Sequence, residues 1–301
     1  MTEKLNIVCV YFNFSHFEIR KKLTLDFIKR YNNCSNIDLY IVEIVYNDDE
    51  YEVTDNNNKN HMQLKTNTKL WYKENLINLA IKNLLPPDWT NVAWIDSDIE
   101  FTDTMWVEKT IEKLKYNDII QLFSSCIQLD KNNNNTDYIS TGVIKYNFGK
   151  LVYSQHYNNT HPGYAWALSR TGYDKIGKIP ELFIIGSADT RMSYGMLNID
   201  LYLERTDMTF TEGYKQYIIN VYELFSKLRF DYLDCIIHHY YHGDRKNRKY
   251  FERHLLLSKY EYDPNIHIEY TSNGLIKVTD RFPKELLEEI EKYFDDRKED
   301  D

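Results

Sequence analysis

Val92-Ala93-Trp94-Ile95-Asp96-Ser97-Asp98 is a run of four apolar residues followed at once by two carboxylates flanking a serine. The apolar half reads as a strand buried on both faces, because no polar residue alternates with the apolar ones. Strands of that kind belong to parallel sheets covered by helices. The carboxylates then stand at the strand's carboxyl end, where open parallel sheets bind ligands. Neighbouring carboxylates repel each other, and a hard divalent cation such as Mn2+ or Mg2+ would relieve that repulsion. A solvated strand-to-loop turn would use the same residues, so the surrounding chain has to decide.

Upstream, Leu5–Phe12 is a second apolar strand, and residues 16–31 follow as an amphipathic helix with Leu23, Phe27, Ile28 and Tyr31 at helical spacing. Ile37–Val45 is another strand, and Leu70–Leu85 is a helix stopped by Pro86-Pro87. Downstream, residues 103–115 read as helix and Ile119–Phe123 as strand. This alternation predicts an α/β fold with a mostly parallel, Rossmann-like central sheet flanked by helices. Residues 47–68 are polar and Asn-rich and predict an exposed loop; residues 124–160 read as irregular, with Asn132–Asn135 at a loop tip. The second half is less regular. Helices are expected near 188–197, 213–229 and 247–260, with Asp231–His239 as a strand between the last two. Pro283 opens a final helix carrying Leu286, Leu287 and Ile290, and the acidic end Asp295–Asp301 is expected to fray. No repeat or linker interrupts the chain, so one domain over 1–301 is expected.

Composition narrows the function classes. The 37 Lys+Arg stand against 46 Asp+Glu, a net charge of −9, which argues against a nucleic-acid partner. An aromatic content of 15% excludes intrinsic disorder. The 26 Tyr and 28 Asn, beside 10 Gly and 5 Ala, follow AT-rich codons and read as a genomic bias, such as that of an AT-rich microbe or a large DNA virus. Cys9, Cys34, Cys126 and Cys235 are scattered, with no CxxC, so free thiols in a reducing compartment are expected. No apolar run approaches the ~18 residues of a membrane span, and no basic flank with a long apolar run opens the chain. The expected location is cytoplasm, the host's if the chain is viral.

Three further segments carry chemistry. Ile236-Ile237-His238-His239-Tyr240-Tyr241-His242-Gly243 sets three histidines at the end of a strand, and alternation prevents all three from pointing one way. A basic run follows with Arg245, Lys246, Arg248, Lys249 and Arg253, suited either to a diphosphate or to a solvated helix face. Gly186-Ser187-Ala188-Asp189 reads as a helix start with Ser187 as N-cap. Asp189 in the first turn would stay ionised in the helix dipole and can act as a general base, although ordinary helix starts carry the same residue. Pro162-Gly163-Tyr164-Ala165-Trp166-Ala167 surrounds an aromatic with small residues, as a ligand-facing wall or a packed core would. Because small residues are scarce, Gly163, Gly186 and Gly243 are expected where backbone closely approaches a ligand.

In order, these pieces resemble GT-A-fold glycosyltransferases with a DxD motif, among them those of bacteria and giant DNA viruses. The resemblance covers roughly residues 5–257 and rests on Tyr11-Phe12-Asn13, Lys69–Ala80, Trp94–Phe101, Gly163–Ala167, Gly186–Asp189 and His242-Gly243 with Arg248, Tyr250 and Arg253. It implies a nucleotide-sugar-binding half over 1–125, an acceptor and catalytic half over 126–260 and a C-terminal extension over 261–301. It implies hexosyl transfer from a nucleotide sugar, most often UDP-linked, to a glycan or protein-linked hydroxyl, with Mn2+ or Mg2+. Asp96 and Asp98 take the DxD positions, with His242 or His239 completing the metal site. Tyr11, Phe12, Asn13, Trp71, Lys73, Arg245, Lys246 and Arg248 would hold the donor, Tyr164 and Trp166 the acceptor, and Asp189 the proton. A metal-dependent phosphoester hydrolase and a non-catalytic nucleotide- or glycan-binding protein are the competing expectations.

Overall fold

The computed structural model describes residues 3–147, 159–199, 209–250 and 252–301. The first elements in chain order are β1 (Leu5–Tyr11), α1 (Glu18–Tyr31), β2 (Ile37–Tyr46), β3 (His61–Thr66), α2 (Lys73–Asn83), β4 (Asn91–Ile95), β5 (Ile99–Phe101) and α3 (Trp106–Leu114). Next come β6 (Ile119–Gln121), β7 (Ser125–Leu129), β8 (Asn135–Gly142), α4 (Val143–Asn147), β9 (Thr160–His161), β10 (Ala165–Ser169), α5 (Arg170–Ile176) and α6 (Ala188–Leu197). The remainder are α7 (Glu212–Phe225), β11 (Phe230–Tyr232), β12 (Ile236–His239), a 3-10 turn at Arg245–Arg248, α8 (Glu252–Lys259), α9 (Pro264–His267), β13 (Ile268–Tyr270), β14 (Ile276–Val278) and α10 (Lys284–Asp296).

β1 and β4 are apolar throughout their cores because both faces are covered. Alternation sends Ile7, Cys9, Ala93 and Ile95 to one side, with Phe27 and Tyr31 of α1. Val8, Val92 and Trp94 go to the other, with Leu76, Ile77 and Ala80 of α2. The resulting sheet has the order β11-β6-β10-β4-β1-β2-β3. It is parallel at β1–β2, β1–β4, β2–β3 and β11–β6, and β10 alone runs antiparallel to its neighbours. The fold is therefore the α/β architecture with a mostly parallel central sheet that the sequence predicts. Winding proceeds from β1 to β2 on one side and β4 on the other, a switch point that opens a crevice at the strands' carboxyl ends. A second sheet, β5-β12-β7-β8-β9, abuts this end. The four cysteines are free thiols, and no helix among the described residues is long and apolar enough to cross a membrane.

Several expectations change. The loop expected over 47–68 contains β3, which pairs in parallel with β2 at the sheet edge. Buried Glu43 anchors the preceding segment by accepting the backbone N–H groups of Glu52 (2.6 Å), Val53 (3.2 Å) and Thr54 (2.9 Å). Edge pairing through backbone leaves no apolar pattern to read. The region 124–160 holds the β7–β8 pair, with Asn132–Asn134 of the expected Asn132–Asn135 tip at its turn and Asn135 already in β8; residues 148–158 lie outside the described residues. Asp231–His239 is two strands, since β11 joins the first sheet and β12 the second. The helix expected over 247–260 begins only at Glu252, after Lys249 takes a left-handed φ of 43°. The acidic end does not fray. Glu299 and Arg297 are buried at 2% and 5% exposure, because Glu299 meets the guanidinium groups of Arg20 (2.5 and 2.9 Å) and Arg297 (2.6 Å).

Candidate active site

Asp98 links the two sheets. It follows β4 in the first and precedes β5 in the second, and β12 pairs antiparallel to β5 with His239 opposite Ile99. The backbone of Tyr240 donates to the Asp98 carbonyl at 2.8 Å, which carries the chain on to His242. Asp98 Oδ2 thereby lies 2.8 Å from His242 Nε2 and 3.7 Å from His239 Nε2. Ser97 faces the other way and shares a 2.8 Å hydrogen bond with Thr24 of α1.

This trio has the properties of a metal site. Its ligand atoms all lie within 4.8 Å of one another. Asp98 Oδ1 is buried and has no hydrogen-bond partner among the described residues. His239 Nδ1 sits 2.6 Å from Gln128 Oε1, so it carries the proton and leaves Nε2 as a lone-pair donor. Gln128 in turn donates to the Tyr164 hydroxyl at 3.1 Å. The other nitrogen of His242, Nδ1, faces Glu299 Oε2 at 3.4 Å. Burial pushes His239 down to about 4 against the opposing pull of Asp98, which keeps the imidazole neutral. Burial works against the charge of Asp98, but His239 and His242 outweigh it and hold the carboxyl well below the usual range. One carboxylate and two imidazole nitrogens thus offer a donor set for a divalent cation, softer than Mg2+ prefers.

Asp98 lines a cavity of about 310 Å³, at the small end of the roughly 300–1,000 Å³ range of ligand pockets. Its wall also carries Trp71, Lys73, Asp96, Asp189, Arg248 and Arg253. His239 and His242 line an adjoining cavity of about 400 Å³, and Tyr164, Arg245 and Arg248 belong to both. A wider groove of about 640 Å³ along α1 lacks the carboxylate–imidazole set.

Asp96 stands apart from the trio. It forms an ion pair with Lys73, at the start of α2, and burial raises its own affinity for a proton. Burial also opposes the charge of Lys73, but Asp96, Glu74 and Asp189 together hold it above the usual lysine range. Burial raises Glu74 to about 8 despite Lys73, so this lining carboxyl is largely protonated at neutral pH. Asp189 occupies the first turn of α6, and its Oδ1 accepts from the Thr190 N–H at 2.7 Å. A Cβ on Gly163 would lie 2.4 Å from Asp189 Oδ2. Ser187 is not the expected side-chain N-cap. It has a left-handed φ of 83°, and its hydroxyl meets His254 Nε2 at 2.7 Å. Tyr164, which also lines the cavity, has a φ of 75°, so two non-glycine residues hold costly backbone at this site.

The other expected residues divide. Trp71 reaches the cavity wall, with the guanidinium groups of Arg297 and Arg253 over its ring at 5.7 and 5.9 Å. Tyr164 lines the cavity and stacks on His161 at 3.8 Å, but Trp166 is buried behind it, donating to the Pro162 carbonyl at 2.8 Å. Tyr11 and Asn13 turn to Glu52 beside a separate small depression, and Phe12 packs edge-on against Trp71. Lys246 is exposed and pairs with Asp244. The three glycines accommodate protein instead of open ligand space: Gly163 meets Asp189, Gly186 the Trp71 ring, and Gly243 the Glu299 backbone. Gln128, His161, Glu299, Tyr293 and Arg297 escaped sequence reasoning. Only His161, next to Pro162-Gly163, had a local signal.

No family profile matches the chain, and no curated protein matches its sequence. Solved structures align with it at low similarity. TarS of S. aureus is 11% identical over 85% of this chain and 65% of that one, with a TM-score of 0.39. A putative nucleotide-diphospho-sugar transferase from Desulfovibrio desulfuricans G20 is 9% identical over 79% and 82%, with a TM-score of 0.36. A mutant Drosophila β1,4-galactosyltransferase 7, in complex with manganese, UDP-Gal and xylobiose, is 12% identical over 65% and 62%, with a TM-score of 0.32. The chain thus spans 65% of the length of the TarS structure. These likenesses are distant, and the reading of the site rests on its own residues.

Proposed function

We propose that the protein is a metal-dependent glycosyltransferase that moves a hexose from a nucleotide sugar, most often UDP-linked, to a hydroxyl acceptor. The observation that carries this reading is the Asp98–His239–His242 trio, whose buried Asp98 Oδ1 has no partner among the described residues and whose Asp98 lines a cavity that also holds Asp189. A divalent cation held by Asp98, His239 and His242 would supply positive charge to the donor diphosphate. Two imidazoles in the set favour Mn2+ over Mg2+.

The chain's own groups supply the rest. Arg245 and Arg248 face both cavities and stabilise the negative charge that develops on the β-phosphate as the sugar–oxygen bond breaks. Lys73 is held charged beside Asp96 and adds to that field. Asp189 takes the proton of the acceptor hydroxyl as its oxygen bonds the anomeric carbon, and the bonding electrons leave with the nucleoside diphosphate. The Trp71 and Tyr164 rings line the cavity and exclude water from it.

The test is a screen of nucleotide sugars for nucleotide release, with Mn2+ and with Mg2+. At least one donor should turn over, faster with Mn2+. A chain that cleaves bis(p-nitrophenyl) phosphate but no nucleotide sugar would be a hydrolase instead.

A further inference from the structure

The cavity holds more positive charge than the donor reading uses. Among its cations, Lys73 is paired with Asp96, and Arg297 with Glu299. Arg245, Arg248 and Arg253 form no ion pair with a carboxylate among the described residues, although the chain carries 46 Asp+Glu. The last is the unusual one. Arg253 is 6% exposed and lines the cavity. Its Nη1 donates to the Tyr293 hydroxyl at 2.7 Å, and among the described residues its Nη2 makes only a long 3.4 Å contact to Ser187 Oγ and its buried Nε has no partner. The rings of Tyr250, Tyr293 and Trp71 surround the guanidinium at 5.1, 5.5 and 5.9 Å and fix its orientation. Desolvating a guanidinium and leaving one of its donors unmatched is costly unless an anion completes it.

Location says which anion. Arg253 touches Ser187, two residues before Asp189, and its Nη2 would lie 3.5 Å from a Cβ on Gly186. Its Nη2 is therefore turned to the Gly186–Ser187 turn that opens the helix bearing Asp189, while its Nη1 side leads through Tyr293 to Arg297 and Glu299. A nucleotide sugar's diphosphate carries two negative charges, which a divalent cation alone balances. Arg245 and Arg248 line the cavity of His239 and His242 as well. Resting on the glycosyltransferase reading, we propose that the acceptor itself carries a phosphoryl group, and that Arg253 seats it beside Asp189. A guanidinium fork matches two phosphoryl oxygens, and a dianion answers the excess charge better than a carboxylate does. Tyr293 supports the same picture. Burial opposes its ionisation, yet Arg297 and Arg253 bring the phenol down to about 8, a sign of strongly positive surroundings.

The experiment titrates methyl phosphate and acetate into the full chain, alone and saturated with Mg2+ and UDP, by calorimetry. UDP binding is scored separately, so a failure of the donor reading shows as absent UDP binding while the anion site is still tested on the protein alone. Methyl phosphate should bind in both states, at least tenfold tighter than acetate. R253Q should lose at least tenfold in methyl phosphate affinity and keep its UDP affinity within twofold. Should R253Q not fold, R253K, which keeps the charge but not the fork, should lose at least threefold. Unchanged phosphate binding in the variant overturns the proposal. So does displacement of methyl phosphate by UDP, which would give Arg253 to the donor, and so does equal binding of acetate.

Discussion

The Nε2 atoms of His239 and His242 face each other at 3.2 Å, with Asp98 Oδ2 2.8 Å from His242. Arg248 Nη2 stands 2.6 Å from the same His242 Nε2, so a metal ion bound between the two rings would take that guanidinium's place, and Gln128 already takes the other proton of His239. Asp98→Ala should therefore abolish Mn2+ binding and Mn2+-dependent nucleotide release. Gln128→Ala, which frees the His239 tautomer, should weaken Mn2+ by about 10–100-fold. Isothermal titration with Mn2+ reads both, and undiminished Mn2+ binding in D98A would remove the trio from the metal role.

Asp189 and Gly163 form the second test. Asp189→Asn keeps the shape and removes the base, so transfer should fall by about 10²–10⁴-fold while UDP affinity stays. Gly163→Ala places a methyl group 2.4 Å from Asp189 Oδ2 and must displace the carboxylate. Its kcat should fall in the same direction without loss of donor binding. Near-normal transfer by D189N would take Asp189 out of the base role.

What was legible in the sequence follows from how each residue is placed. Asp96 and Asp98 could be read because an uninterrupted apolar strand ends on them. The histidine block could be read, and so could the rule that its members split between faces: His239 and His242 converge on Asp98 while His238 lies opposite Glu100. Which histidine joined Asp98 depends on β12 pairing with β5, a contact across more than a hundred residues that no local pattern encodes. Glu299 and Arg297 look like solvated tail from composition. Only the folded chain reveals that Arg20 and His242 are there to receive Glu299, and Glu299 and Tyr293 to receive Arg297. Tyr11, Phe12 and Asn13 stand at the expected strand end, but Glu52 and the Phe14 and Phe294 rings claim their side chains.

Glu299 supplies a stability prediction. Its carboxylate is buried and shared by Arg20 and Arg297, and it faces His242. Burial opposes its charge, yet Arg20, Arg297 and His242 hold the carboxyl well below the usual range. Glu299→Gln leaves Arg297 buried without its countercharge, which should cost about 3–5 kcal/mol in urea unfolding. Mn2+ affinity should fall with it, since the His242 ring loses its anionic partner. A loss below about 1 kcal/mol, the range of exposed ion pairs, would show that the tail contributes little.

Tyr293 gives a pH signature. Its phenol lies 2.7 Å from Arg253 and 2.9 Å from Arg297, and it titrates at about 8 in the folded protein against 10.0 ordinarily. A folded value below the unfolded one means that the unfolded chain binds more protons between these two values. Stability therefore rises with pH across about 8 to 10, is fully gained above the unfolded value, and is lost as pH falls through about 8. The gain is roughly 2–3 kcal/mol for a shift of about two units. Near-ultraviolet tyrosinate absorbance should show one phenol titrating near 8, absent in Tyr293→Phe. That variant should also lose the alkaline rise in urea stability relative to wild type, and a wild-type titration with no phenol ionising below 9.5 would leave the two arginines without this effect on Tyr293.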